Sequence, residues 1–211
     1  MGILDNNRIE LKMTLEFIRH FSIKIKNFLE IGSKDGDDSF YFKQDLNLDP
    51  KNIHIIEASP TFYDIIRNKY PDFNVHNIAA WKEDGFIEFN NAKDLDDGRS
   101  SILNRDIYKQ DNFETVKVEC NKISTFLNNN DIDSVDLVKI DVEGATLEVL
   151  YGFEHYLQSV RLLQVETEQF SIWENQYTKK DVFEFLQKNN FMLLWDLDLG
   201  KTQNDSIWMK K

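Results

Sequence analysis

Phe28-Leu29-Glu30-Ile31-Gly32-Ser33-Lys34-Asp35-Gly36 is an apolar strand pattern running into a turn with two glycines, followed by Asp37, Asp38 and a helical stretch. Glycines at such a turn let the backbone approach a ligand closely and take dihedrals that other residues resist. The first strand-to-helix turn of an open parallel sheet is where a nucleotide-like cofactor lies. The spacing here is Gly-x-x-x-Gly rather than the Gly-x-Gly-x-x-Gly of dinucleotide binders, and the turn carries Asp35, Asp37 and Asp38. Carboxylates at a helix N-terminus compete with a pyrophosphate for the same positive dipole. The turn therefore suits a phosphate-free cofactor with a positively charged end. The same residues could also serve simply as helix caps.

Outward from this turn, apolar runs of strand length alternate with helical patterns. Ile25–Ile31, Ile53–Glu57, Asn74–Ile78, Val135–Ile140 and Arg161–Glu166 read as strands, with helices from Asp38, from Pro60, through Leu147 and Leu150, and over Lys179–Lys188. Phe191–Leu197 and residues 204–209 read as closing strands. Strand, helix, strand in repetition implies right-handed crossovers and a parallel sheet. Leu11, Leu15, Ile18 and Phe21 fall on one stripe of a helix over residues 8–21, which covers one side of the sheet. The organisation expected is a helical cover over residues 1–24 and a single domain over 25–211.

Between Trp81 and Lys122 the rhythm breaks. Phe86 and Glu88 mark a short alternating strand, and the polar stretch Asp94–Ser101 reads as a lid or substrate loop, or as a surface excursion.

Three strand ends carry acids. Glu57 lies 25 positions after Gly32 and 21 after Gly36, near the ~20-residue interval at which a second-strand carboxylate reaches an adenosine ribose. Its alternative role is to steady the turn at Ser59-Pro60. Asp141 and Glu143 close the run Val135–Ile140 and should face the same crevice, outside the carboxyl ends of the strands. Glu143 could instead start the next helix. Glu166 repeats the device one strand later. His20, His54, His76 and His155 fall in helix or strand patterns and read as structural, and no histidine pair stands at metal-ligand spacing.

The chain has 25 basic and 37 acidic residues, a net charge of −12, with the acids scattered along it. That balance counts against a nucleic-acid surface, which is held largely by Lys and Arg. Cys120 is the one cysteine, so no internal disulfide or cysteine zinc site exists, and a reducing, cytoplasmic setting is expected. No apolar stretch approaches the roughly 18 residues that span a bilayer. Hydrophobic residues at 41% with 16 Phe and 4 Trp fit one packed core.

From Phe28 to Trp208 the sequence resembles the FkbM-type methyltransferases. The strongest block is Lys139-Ile140-Asp141-Val142-Glu143-Gly144-Ala145 with the following Val149-Leu150-Tyr151-Gly152; Thr146 stands where the family usually has a second Glu. Four weaker blocks follow the family order: Glu30-Ile31-Gly32 with Gly36, Glu57-Ala58-Ser59-Pro60, Asn77-Ile78-Ala79-Ala80-Trp81, and Gly98-Arg99-Ser100-Ser101-Ile102. Ser33, Lys34 and Asp35 depart from the family's usual turn.

The resemblance implies an α/β, class I (Rossmann-like) methyltransferase fold: a seven-stranded, mostly parallel sheet with an antiparallel last strand and helices on both faces. It also implies S-adenosylmethionine as donor and a hydroxyl of a sugar, glycan or small natural product as acceptor. On this reading Glu30, Gly32, Ser33, Lys34, Asp35, Gly36 and Ser39 surround the methionine end. Glu57, with Ala58 and Ser59, holds the ribose; Ala79, Ala80 and Trp81 border the adenine, and Ser101 is counted with the cofactor-binding residues. Asp141, also beside the cofactor, orients or deprotonates the acceptor together with Glu143 or Glu166. No metal is required, although Asp141, Glu143 and Glu166 could offer oxygens to Mg²⁺. A non-catalytic cofactor-binding accessory protein and an RNA ribose methyltransferase are the competing readings.

Overall fold

A computed structural model describes residues 8–94, 99–104, 112–197 and 202–211. In chain order it contains α1 (Ile9–His20), β1 (Phe28–Ile31), α2 (Asp37–Leu46), β2 (Ile53–Ile56), α3 (Pro60–Lys69), β3 (Asn74–His76), β4 (Ala79–Ala80) and β5 (Gly85–Ala92). There follow β6 (Phe113–Asn121), α4 (Ile123–Asn129), β7 (Leu137–Ile140), α5 (Thr146–Gly152), β8 (Leu162–Glu168), α6 (Lys179–Lys188), β9 (Phe191–Leu197) and β10 (Gln203–Lys210). Among the described residues no helix is long and apolar enough to cross a membrane.

The main sheet has seven strands in the order β3-β2-β1-β7-β8-β10-β9. Pairs from β3 to β8 are parallel, and β10 runs antiparallel to both β8 and β9. The chain moves outward from β1 to β3, then returns across β1 to β7. The strand order thus reverses between β1 and β7, which is where ligands of such sheets bind.

The two faces of the sheet differ in chemistry. Leu29, Ile31, Ile56, Val138, Ile140, Leu163, Val165 and Trp208 point to one face and pack with Phe126, Leu147, Leu150, Val182 and Leu186 of α4, α5 and α6. That face is largely apolar, with His54 and Ser206 among its few polar residues. On the other face, successive rows can be read from the register, since alternate residues share a side. Phe28, Ile53, Leu137 and Leu162 form an apolar row under Leu11, Leu15 and Ile18 of α1. The next row is Glu30, Lys139 and Gln164 beside Ile55. Two residues further on come Asp141 and Glu166, the latter paired with Asp205. This face turns from hydrocarbon to carboxylate as the strands reach their C-terminal ends. Thr14 of α1 meets the middle row, donating from Oγ1 to Gln164 Oε1 at 2.8 Å.

Boundaries follow local chemistry. Ser59 caps α3 by accepting from Phe62 N–H, with Pro60 at the first helical position. Thr178 and Asp181 form a capping box at the start of α6. The N-terminal helix stops at His20, and Phe21 is 41% exposed rather than on the buried stripe. Strands β1 and β7 are shorter than the apolar runs suggest, and β8 continues two residues past Glu166.

The larger correction concerns residues 82–122. A second sheet of three strands, β4-β6-β5, occupies much of this region, where the sequence reading has one short strand. Val118 and Cys120 of β6 are buried with Ala79 and Phe89, so the sheet has its own small core. Of the polar stretch read as a lid, residues 95–98 lie outside those described. Ser101 exchanges backbone hydrogen bonds with Asn90 of β5, so residues 99–104 run as a wall along the small sheet.

His54 and His76, on adjacent strands, stack with ring centroids 5.9 Å apart. Burial, with His76 beside it, pushes the His54 pKa down to about 4, from an ordinary value near 6.5. The unfolded chain therefore binds the proton first, and His54 costs stability as pH falls from about 6.5 toward 4. In thermal denaturation, the lead of the wild type over a His54→Gln variant at pH 7.5 should shrink steadily on acidification to pH 4.5. A gap independent of pH would show that His54 is not held neutral.

Candidate active site

A cleft with about 900 Å³ of empty space, part of it open to solvent, lies over the C-terminal ends of β1, β2 and β7. Its floor at one end is the glycine turn. Gly32 has φ +77°, and a Cβ there would fall 1.8 Å from the Asp141 carbonyl oxygen, so only glycine lets β1 and β7 approach this closely.

The turn is organised by Glu57. Its Oε2 accepts from the N–H groups of Ser33 and Lys34, both at 3.0 Å, and its Oε1 accepts from Ser59 N–H at 2.8 Å. Burial raises the Glu57 pKa, while the three N–H donors pull against it. Asp35 N–H goes to the Ser33 carbonyl at 2.7 Å and Asp37 N–H to Asp35 Oδ1 at 3.0 Å. The amides that a dinucleotide-binding turn aims at a pyrophosphate are already engaged inside the protein.

Beneath the turn lies a buried ammonium. Lys139 Nζ is 3.0 Å from Asp141 Oδ2, 3.1 Å from Asp38 Oδ2 and 3.7 Å from Glu30 Oε1, with its side chain 8% exposed. Burial alone would depress the lysine pKa, but the carboxylates of Asp141 and Glu30 reverse the effect and raise it. Glu30, wholly buried, has its pKa raised by burial against the pull of Lys139, and also accepts from Ser39 Oγ. Sequence reasoning quoted Lys139 only within a motif. A lysine inside Leu137-Val138-Lys139-Ile140 was the signal that could have singled it out.

Beyond Asp141, at the far end of the cleft, further acids gather. Burial, then repulsion from Asp141, Glu143 and Asp205, pushes the Glu166 pKa well up. Burial brings Glu168 and Asp205 each to about 7. Gln203 Nε2 donates to Glu143 Oε2 at 2.9 Å and Glu166 Oε2 at 3.4 Å.

Of the residues singled out in the sequence, the cleft is lined by Gly32, Ser33, Lys34, Glu57, Ala58, Ala79, Ala80, Asp141, Glu143 and Glu166. The others stand behind it or elsewhere, for physical reasons. Glu30 and Ser39 are buried together beside Lys139, Asp35 caps the turn, and Gly36 (φ +79°) faces Tyr70 and Ile66. Ser59 serves as the cap of α3. Ser101 Oγ donates to the Glu143 carbonyl at 2.7 Å, while its neighbours Ser100 and Ile102 reach the cleft. Trp81 lines a separate pocket with Lys82, Ile102, Glu148 and Tyr177 rather than bordering this one. Ile78, Phe62 and Phe89 add apolar wall that sequence reasoning did not name.

The strand order, the cleft at the β1/β7 reversal and the carboxylate closing β2 define a class I methyltransferase fold. The Methyltransferase FkbM domain profile matches residues 30–193, and the chain belongs to that family of S-adenosylmethionine-dependent methyltransferases. No curated protein matches the sequence. Solved structures share the fold at low identity. TrmK of M. capricolum, solved with S-adenosyl-homocysteine, has a TM-score of 0.56 at 10% identity, covering 100% of this chain and 70% of that one. The methyltransferase FkbM of Methylobacillus flagellatus KT has a TM-score of 0.58 at 12% identity over 88% of this chain. The alignment covers 44% of that protein, so the present chain spans less than half its length. A Streptococcus pneumoniae protein, Sp1610, ascribed to tRNA (m1A22) methylation, has a TM-score of 0.55 at 12% identity, covering 98% of this chain and 71% of that one.

Replacing Lys139 with Met should cost about 3–5 kcal/mol, because it strands the buried carboxylate of Glu30 without its cation, whereas Asp38 keeps Arg8. Urea denaturation at pH 7.5 measures this. The deficit should narrow at pH 5, where burial favours protonation of Glu30 once the lysine is gone.

Proposed function

We propose that this protein transfers the methyl group of S-adenosylmethionine to a hydroxyl of a sugar, glycan or small natural product. The observation that carries the reading is the exhausted glycine turn beneath a carboxylate-rich cleft. With the Ser33 and Lys34 amides given to Glu57, the turn has little to offer a phosphate. Asp141, Glu143 and Glu166 favour a ligand with positive charge. Sulfonium and ammonium groups fit that chemistry, and Ala58, Ile78, Ala79 and Ala80 suit a flat adenine ring.

Gly32, Ser33 and Lys34 would hold the methionine end, Glu57 the ribose, and Ala79 and Ala80 the base. S-adenosylmethionine supplies an electrophilic methyl carbon on its sulfonium. Asp141 stands between the cofactor half of the cleft and the acids of the acceptor half. One of its oxygens is fixed by Lys139. Asp141 takes the proton that the acceptor hydroxyl loses as its oxygen bonds the methyl carbon, and Glu143 and Glu166 orient that hydroxyl. The protein's main contribution is position and exclusion of water.

An acidic surface of net charge −12 supports a small-molecule or glycan acceptor over RNA, despite the fold shared with Sp1610. The single, buried Cys120 fits residence in the cytoplasm.

Two substitutions test the division of labour. Glu57→Ala should weaken S-adenosylhomocysteine binding at least about tenfold by calorimetry, roughly 1.4 kcal/mol or more. Asp141→Asn should hold that affinity within a few-fold while lowering kcat by about 10²–10⁴ on acceptors found by labelled-methyl transfer to extracted glycans. Tight binding with no acceptor labelled would instead favour a cofactor-binding accessory protein, and undiminished affinity in the Glu57 variant would remove the ribose assignment.

A further inference from the structure

Residues 100–104 divide two hollows. Ser100 and Ile102 line the cofactor cleft, whereas Ile102, Leu103 and Asn104 line a second hollow with about 700 Å³ of empty space, part of it open to solvent. Trp81, Lys82, Glu148, Glu174, Asn175 and Tyr177 supply the rest of its wall. The cofactor cleft draws on none of these six.

The wall is held by bonds that do not depend on a ligand. Trp81 N–H donates to the Asn121 carbonyl at 2.9 Å, and a Cβ on Gly152 would collide with the Trp81 carbonyl, so this side is locked to β6 and α5. Glu174 N–H donates to the Asn104 carbonyl at 2.8 Å, and Asn104 Nδ2 donates back to Glu174 Oε2 at 3.2 Å. Tyr177 meets Tyr151 edge to face with ring centroids 6.4 Å apart, and Tyr151 meets Phe185 at 5.1 Å.

Glu148 is the anomaly in this wall. The residue is 3% exposed, and its Oε2 is buried with no hydrogen-bond partner among the described residues. Burial raises its pKa, while its own N–H and the Lys82 ammonium pull the other way. Those two groups steady the charge and still leave Oε2 without a donor, an arrangement that costs stability until a ligand supplies one. Lys82 Nζ also stands 5.3 Å from the centroid of the Trp81 ring.

We propose that this hollow is a subsite for an uncharged sugar ring next to the ring that is methylated, so that the acceptor is a neutral glycan of at least two units. The inference rests on the hydroxyl-methylating reading of the adjoining cleft. Aromatic faces are negative and attract the weakly positive C–H face of a pyranose, and Trp81 and Tyr177 provide such faces. A ring hydroxyl donates to Glu148 Oε2, and another accepts from Lys82. The lining sets one ammonium against two carboxylates. A cationic ligand would therefore compete with Lys82 for Glu148, and an anionic one would meet an excess of negative charge. Ile102 belongs to both hollows, so the two rings lie on either side of one side chain, and a monosaccharide fills only one of the two places.

The probe is an array of neutral di- and trisaccharides of glucose, galactose, mannose, rhamnose and N-acetylglucosamine, with the matching monosaccharides and uronic-acid glycans, presented to the full chain with and without S-adenosylhomocysteine. At least one neutral oligosaccharide should bind at least about tenfold better than any monosaccharide or acidic counterpart. Glu148→Gln should weaken that binding at least about tenfold, the loss expected for a hydrogen bond to a buried charged acceptor. Tyr177→Ala, at a position 39% exposed where folding is not at stake, should weaken it about fivefold. Both variants should keep S-adenosylhomocysteine affinity within about twofold. Binding confined to acidic glycans or monosaccharides, or binding indifferent to both substitutions, overturns the subsite. Binding of S-adenosylhomocysteine with no neutral oligosaccharide bound also overturns it and leaves the methyltransferase reading intact. Glycan binding that both substitutions weaken, in a chain that does not bind S-adenosylhomocysteine, upholds the subsite and overturns that reading instead.

Discussion

The ammonium of Lys139 is the constraint on which the architecture of the cleft depends. It reaches Glu30 on β1, Asp38 on α2 and Asp141 just beyond β7. A charge this deeply buried is tolerable only with close, opposite partners. Here the partners come from three different elements, so forming the ion cluster fixes those elements to one another. It also lets carboxylates persist on a sheet face that is hydrocarbon one row earlier. Without the lysine, Glu30 would be an unpaired charge in the middle of the sheet.

Glu57 is the counterpart on the other side of the turn. It gathers the N–H groups of Ser33, Lys34 and Ser59, so the β1 turn and the start of α3 are held by one carboxylate. Gly32 lies between the two hubs, where any Cβ would collide with the Asp141 carbonyl. The two hubs explain why neighbouring acids differ in role. Glu30 and Asp38 are committed to structure, whereas Asp141 is held by one oxygen and turned to the cleft.

Much of this was legible in the sequence where burial writes a periodic pattern. Ile53-His54-Ile55-Ile56 and Leu162–Val165 read as strands because both sheet faces are covered there. The acids at strand ends read as cleft residues because strand direction and the order reversal fix where such ends lie. What failed to show was anything decided by side-chain direction. Ser39, Asp35 and Ser59 have the chemistry of ligand contacts, yet their hydrogen bonds are spent inside the turn and caps. Trp81 sits one residue beyond β4 and lines a different pocket. The β4-β6-β5 sheet was missed although Val116, Val118 and Cys120 alternate, because the intervening polar residues looked like loop.

A doubly wound sheet can hold dinucleotides as well as sulfonium cofactors, so the fold alone leaves the choice open. The choice is made by which groups reach the turn first. A carboxylate closing β2 that takes two turn amides as well as a helix-cap amide leaves little positive potential for a phosphate, and the acids beyond it add negative potential. The same gradient runs on into the acceptor half, where Glu143, Glu166 and Glu168 converge. The cleft is thus acidic at both ends for different reasons. At one end the carboxylate is satisfied by backbone amides and an ammonium lies just beneath. At the other, Glu143 and Glu166 share the side-chain amide of Gln203, and Asp141 stands where the two regimes meet.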